Sequence, residues 1–98
     1  MAKFKVGDQI AYVPTHARGD LKHPDVELGF VTSVSPDGEY AFCRYFAKSN
    51  EYLRTTANSE ATYIRDLVHK QHRPQVEIDA MLRAFGYFVI TKGDNYAK

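Results

Sequence analysis

The stretch from Val26 to Phe46, VELGFVTSVSPDGEYAFCRYF, leaves this chain few folds to choose from. Val26 to Val34 is rich in β-branched residues, and Tyr40 to Phe46 is the clearest strand in the chain. Between them, Pro36 presets its own φ and Gly38 accepts a positive one, so the two runs are expected to close as a hairpin. If Cys43 faces inward, alternation takes Ala41 and Tyr45 with it and turns Tyr40, Phe42, Arg44 and Phe46 outward. A lone hairpin is marginal in water, so further strands must join it.

The rest of the chain supplies them. Lys3 to Val13, KFKVGDQIAYV, reads as a strand kinked at Gly7-Asp8. Tyr52 to Thr56 is a candidate fourth strand and Ala61 to Ile64 a short fifth, with Ala57-Asn58-Ser59-Glu60 as the turn between them. Five short strands in about 65 residues favour closure, which removes exposed edges. The expected fold is mainly β, a five-stranded barrel over residues 1–72.

The period changes after Arg73. Pro74 suits a first helical turn, Ile78, Met81, Leu82 and Phe85 fall on one helical stripe, and Gly86 is placed to end the helix. Tyr87 to Thr91, YFVIT, reads as a last strand. Residues 73–98 are thus a helix-strand extension of a single domain. The helix is expected to cover Phe30 and Phe42. The strand would pair with a barrel edge of its own chain, or with a second copy to give a homodimer.

Composition narrows the function classes. Thirteen basic and twelve acidic residues leave a net charge of +1, without the basic excess of a protein that neutralises many phosphates. Only a local patch could hold nucleic acid. The single Cys43 cannot form an intramolecular disulfide and suits a small buried hydrophobe in a reducing compartment. No signal-peptide run and no membrane-length apolar run occurs, so a cytoplasmic location away from membranes is expected.

The succession KVGDQIAYV, GFVTSV, EYAFCRYF, IRDL resembles the SH3-like small barrels of the KOW and Tudor type. The resemblance implies a Gly-Asp turn at the first strand, a second strand marked by Gly29, Val31 and Val34, and a 3₁₀ turn at Arg65-Asp66-Leu67. The opening VGD-x-x-AYVP and the loop GD-x-x-HPD also make the chain similar to small proteins encoded by bacteriophages. Residues 3 to 70 carry the likeness, which speaks to fold and hardly to chemistry. Type II dihydrofolate reductases are SH3-like barrels too, but their Val-Gln-Ile-Tyr motif is not matched by Ala61-Thr62-Tyr63-Ile64.

Two regions are candidates for partner contact. The polar loop PTHARGDLKHPD, residues 14 to 25, contributes His16, Arg18, Asp20 and His23; so long a loop in a compact domain is usually functional. Arg44, Lys48, Tyr52 and Arg54 mix cations with an aromatic ring, a composition that contacts proteins or tracks nucleic acid. His16, Asp20, His23 and Asp25 are all ligand types, yet their spacing matches no compact metal motif, so no metal is expected; His69-x-x-His72 is an equally weak pair. No phosphate loop, nucleophile elbow or cofactor motif is found, so neither catalysis nor a cofactor is expected. The expected function is a non-enzymatic protein-interaction module, a phage or mobile-element factor engaging a host protein. The alternative is a nucleic-acid-binding barrel using the Arg/Lys/aromatic patch.

Overall fold

The computed structural model describes residues 3–46 and 58–86. Within them the chain is mainly β. Strands β1 (Gln9–Tyr12), β2 (Glu27–Val34), β3 (Tyr40–Tyr45), β4 (Glu60–Tyr63) and β5 (Leu67–His69) precede one helix, α1 (Gln75–Ala84). They form one antiparallel sheet in the order β4-β3-β2-β1-β5. The sheet is open: among the described residues its end strands, β4 and β5, do not pair with each other.

Strand membership departs from expectation at two places. The run expected as the fifth strand is the fourth observed one, β4, and the fifth is Leu67–His69. Two of the three β5 residues are exposed, so local pattern does not mark it; its strand state comes from pairing with Ile10–Tyr12. The expected strands at Tyr52 to Thr56 and Tyr87 to Thr91 lie outside the described residues. Only Gln9–Tyr12 of the run 3–13 is strand, because the chain turns just before it. Gly7 takes a φ of +93°, and the Asp8 and Lys5 backbone N–H groups donate to Lys5 O and Asp8 Oδ2, each at 3.0 Å.

The β2–β3 hairpin closes as its turn residues dictate. Gly38 sits at φ +75° and donates to Ser35 O, while Asp37 Oδ1 accepts from Ser35 Oγ at 2.6 Å and Glu39 N–H at 3.0 Å. The pairing slips between Val31 and Ser33, a bulge at Thr32. Thr32 is buried, and its hydroxyl donates to Phe42 O at 2.8 Å.

The sheet buries both faces. On one, Phe4, Ile10, Val31, Ala41, Cys43, Tyr45 and Leu67 form the main core, with the alternation expected of β3. On the other, Phe30 and Phe46 pack with Ile78 and Leu82 of α1, flanked by Val6 and Met81. The helix therefore covers Phe30 as expected, but Phe46 rather than Phe42. Phe46 lies beside Phe30, with ring centroids 5.8 Å apart, whereas half-buried Phe42 lies further along β3 toward the hairpin turn. Phe85 leaves the stripe: it is 39% exposed, with the Arg44 guanidinium 3.9 Å above its ring. Gly86, at φ +88°, follows the helix end.

One polar side chain fastens α1 to the sheet. Gln9 Oε1 accepts from the N–H groups of His72 and Arg73 at 3.0 and 2.9 Å, and its Nε2 donates to Arg73 O at 2.8 Å and Gln75 Oε1 at 3.0 Å. Gln75 Nε2 donates in turn to Gly7 O at 2.8 Å. A buried amide thereby pairs with the segment leading into the helix, much as a strand would.

Two groups beside this junction titrate against folding in acid. Burial, chiefly, with the charges of Arg73 and Lys70, pushes the His72 imidazole below the ordinary 6.5, against the opposing bond from its Nε2 to Gly29 O. Burial pushes the Asp8 carboxyl up, but hydrogen bonds from His69 and Lys5 outweigh it and hold it below the ordinary 3.8. Both folded-state values are depressed, so both contributions are complete above the unfolded-state value and are lost as pH falls through the folded one. The urea midpoint is expected to decline first below about pH 6.5 and again below about pH 3.8, the free-group values of His72 and Asp8. His72→Gln should remove the first decline; a midpoint flat from pH 7 to 5 in the parent protein would contradict this.

Candidate functional site

Register collects chemistry that the sequence scatters. Tyr12, at the end of β1, pairs with Glu27 at the start of β2 and with Leu67 of β5. Tyr45 ends β3, and Glu60 opens β4 opposite Cys43. Asp66 ends the 3₁₀ turn Ile64–Asp66. These positions converge on a cavity of about 310 Å³ lined by Tyr12, Glu27, Tyr45, Glu60, Tyr63 and Asp66, with Ala61 and Thr62 completing it.

Its parts are ordered by the fold. Tyr45 is 4% exposed, and its hydroxyl and that of Thr62 lie 2.6 Å apart. The Tyr12 ring meets the Tyr45 ring edge-on at a centroid distance of 6.4 Å. Tyr63 is 41% exposed and packs on Tyr40 at 4.6 Å, with the Arg65 guanidinium 4.4 Å from its ring centroid. Among the described residues, three that line it are acidic and none is basic. Ring faces beside carboxyl groups favour a cation. Cys43 offers no nucleophile here: burial pushes its thiol up to about 11, so little thiolate exists at neutral pH.

The residues singled out by sequence do not form one surface. His16, Arg18, Asp20 and His23 lie on the segment between β1 and β2, whose two ends are the pocket residues Tyr12 and Glu27. This segment is less of a free loop than its polarity suggests. It contains a 3₁₀ turn at Thr15–Ala17, and Ala17 and Val26 are buried with Ala11. Arg44 lies against the helix end, stacked on Phe85. Lys48, Tyr52 and Arg54 lie outside the described residues. Among the metal-ligand types, His16, His23 and Asp25 come together, whereas Asp20 Oδ1 accepts from Lys22 N–H at 2.9 Å. His69 and His72 turn to different partners, Asp8 and Gly29 O.

Sequence reasoning missed Glu27, Glu60, Tyr63 and Asp66. Each stands at or beside a strand end, an acidic or tyrosine residue with no spacing signal. The β1–β2 and β3–β4 registers bring Glu27, Glu60 and Tyr63 to one cavity, and the 3₁₀ turn beside the β1–β5 pairing adds Asp66. Among the described residues no helix is long and apolar enough to cross a membrane. No protein-family model, curated protein or solved structure matches the chain.

Proposed function

We propose that this chain is a small non-enzymatic protein-interaction module whose tyrosine-and-carboxyl pocket takes a Lys or Arg side chain from a partner protein. The observation that carries this reading is the pocket lining, three acidic side chains and three tyrosines with no basic residue among the described residues. A cationic side chain would find its charge matched by Glu27, Glu60 and Asp66 and its alkyl stem packed on rings. The adjoining segment bearing His16, Arg18, Asp20 and His23 would flank the bound partner. The 3₁₀ turn at Ile64–Asp66, one residue from where the resemblance puts it, supports reading the open sheet as an SH3-like barrel of the KOW and Tudor type. The likeness to bacteriophage proteins supports a host protein as partner and the bacterial cytoplasm as the place.

Nucleic acid is the weaker reading. Phosphate would be repelled from the acidic pocket, and Arg44 is stacked on Phe85. Capture from a bacterial lysate tests the proposal. The parent protein should retain a partner that Glu27→Gln with Glu60→Gln retains at least about tenfold less well, since removing the charges that face a cation weakens binding by that order. Equal capture by both proteins, or retention of DNA or RNA that falls steeply with salt and survives the double substitution, would refute it.

A further inference from the structure

We infer that His16, His23 and Asp25 form a binding site for a divalent transition-metal ion of the Zn²⁺ class, on the segment between β1 and β2. One ligand atom from each of the three lies within 4.8 Å of the others. His16 Nε2 and Asp25 Oδ2 are 2.6 Å apart, and the two imidazole rings meet edge-on at a centroid distance of 5.2 Å. Two imidazoles and one carboxylate are a donor set that suits Zn²⁺, Co²⁺ or Ni²⁺ rather than Ca²⁺ or Mg²⁺. Bonds of about 2.0–2.2 Å place donors roughly 3.3–3.5 Å apart round a tetrahedral ion. The His16–Asp25 pair would open by about 0.8 Å and the wider separations close by up to about 1.4 Å to make such a set, the ion replacing the His16–Asp25 hydrogen bond.

Spacing in the sequence argues against a metal here, as does the entropy of ordering a free loop. The fold answers both objections. Consecutive turns bring residues 16, 23 and 25 together: Asp20 N–H donates to Ala17 O, His23 N–H to Asp20 O and Val26 N–H to His23 O, at 2.9, 3.1 and 3.0 Å. Ala17 and Val26, 3% and 9% exposed, anchor the segment to the sheet beside Ala11. Much of the ordering that a ligand would otherwise impose is thus already present. Meanwhile the His16 and Asp25 side chains are 63% and 58% exposed, so an ion reaches them directly from solvent. The remaining coordination positions would fall to water, as expected of a three-ligand site.

The test is a titration of the untagged, chelator-treated full chain with Co²⁺ and with Zn²⁺. One equivalent of Co²⁺ should bind with the visible absorption of a nitrogen- and oxygen-ligated ion. His16→Ala and Asp25→Asn should each weaken binding by more than about tenfold, while His69→Ala leaves it unchanged. Histidine-ring NMR of the parent protein supplies a reading that needs no variant. Added Zn²⁺ should shift the His16 and His23 ring signals and spare those of His69 and His72. Co²⁺ affinity unaffected by His16→Ala and Asp25→Asn, or His16 and His23 signals unmoved at saturating Zn²⁺, would overturn the assignment.

Discussion

Gly29→Ala is expected to lower stability by more than about 3 kcal/mol, the upper part of the range for forcing atoms into a packed interior. A Cβ at this position would stand 2.2 Å from Arg44 O and 2.9 Å from Tyr45 Cδ1. The first neighbour is the backbone of the paired strand, which cannot swing aside as a long side chain would. Gly29 also pairs with Ile10 and accepts from His72 Nε2 at 3.0 Å, so pushing β2 away disturbs three elements together. Small domains hold only about 5–15 kcal/mol in all. The matching control is Gly19→Ala, where, among the described residues, nothing beyond its own chain neighbours lies within 4 Å of the added carbon; its cost comes from backbone strain at φ +80°. Equilibrium urea unfolding separates the two, and a Gly29→Ala loss no larger than that of Gly19→Ala would contradict the close approach.

Gln9→Ala is expected to cost roughly 3 kcal/mol and to loosen α1 before the sheet melts. The substitution strips hydrogen-bond partners from His72 N–H, Arg73 N–H and Arg73 O together, at about 1–3 kcal/mol for each such group where it is shut off from water. Water entering the junction would offset part of that sum. Truncation after Arg73 should be harsher still. It removes Ile78 and Leu82, each wholly buried and each contributing roughly 1.5–3 kcal/mol, and bares Phe30 and Phe46. The truncated chain should aggregate or melt far below the parent. Native-state hydrogen exchange in Gln9→Ala should show the amides of Gln75–Ala84 losing protection while those of β2 and β3 keep theirs. Unchanged protection of α1 would show that the apolar contacts alone hold it.

Where a periodic pattern and a matching turn coincide, the fold was legible in the sequence. The alternation of Ala41, Cys43 and Tyr45 named the buried face of β3, and Ile78 and Leu82 named that of α1. What pattern could not reach is whatever tertiary pairing decides. Leu67–His69 is strand because β1 offers it partners, and Phe46 rather than Phe42 meets the helix because α1 comes to rest over Phe30 of β2 and the residue just past the end of β3. Gln9 carries no sign in the sequence that it will bind a segment more than sixty positions away. The pocket is the extreme case, six residues spread from Tyr12 to Asp66 whose only common property is a position near strand ends. The His16–His23–Asp25 cluster is intermediate: its residue types were conspicuous, but their convergence depends on consecutive backbone turns and two buried anchors.

Amide NMR of the full chain, titrated with a short peptide containing Arg and Lys, decides whether the tyrosine-and-carboxyl pocket is a cation receptor. Saturable shifts should appear at Tyr12, Glu27, Tyr45, Tyr63 and Asp66. A peptide with Glu in place of the basic residues should leave those signals still, and Glu27→Gln with Glu60→Gln should weaken the basic peptide's binding by at least about tenfold. The contrary result is equally plain. If the basic peptide moves none of the pocket amides while single-stranded DNA moves those around Arg44, the pocket is not the recognition site and the protein is a nucleic-acid binder.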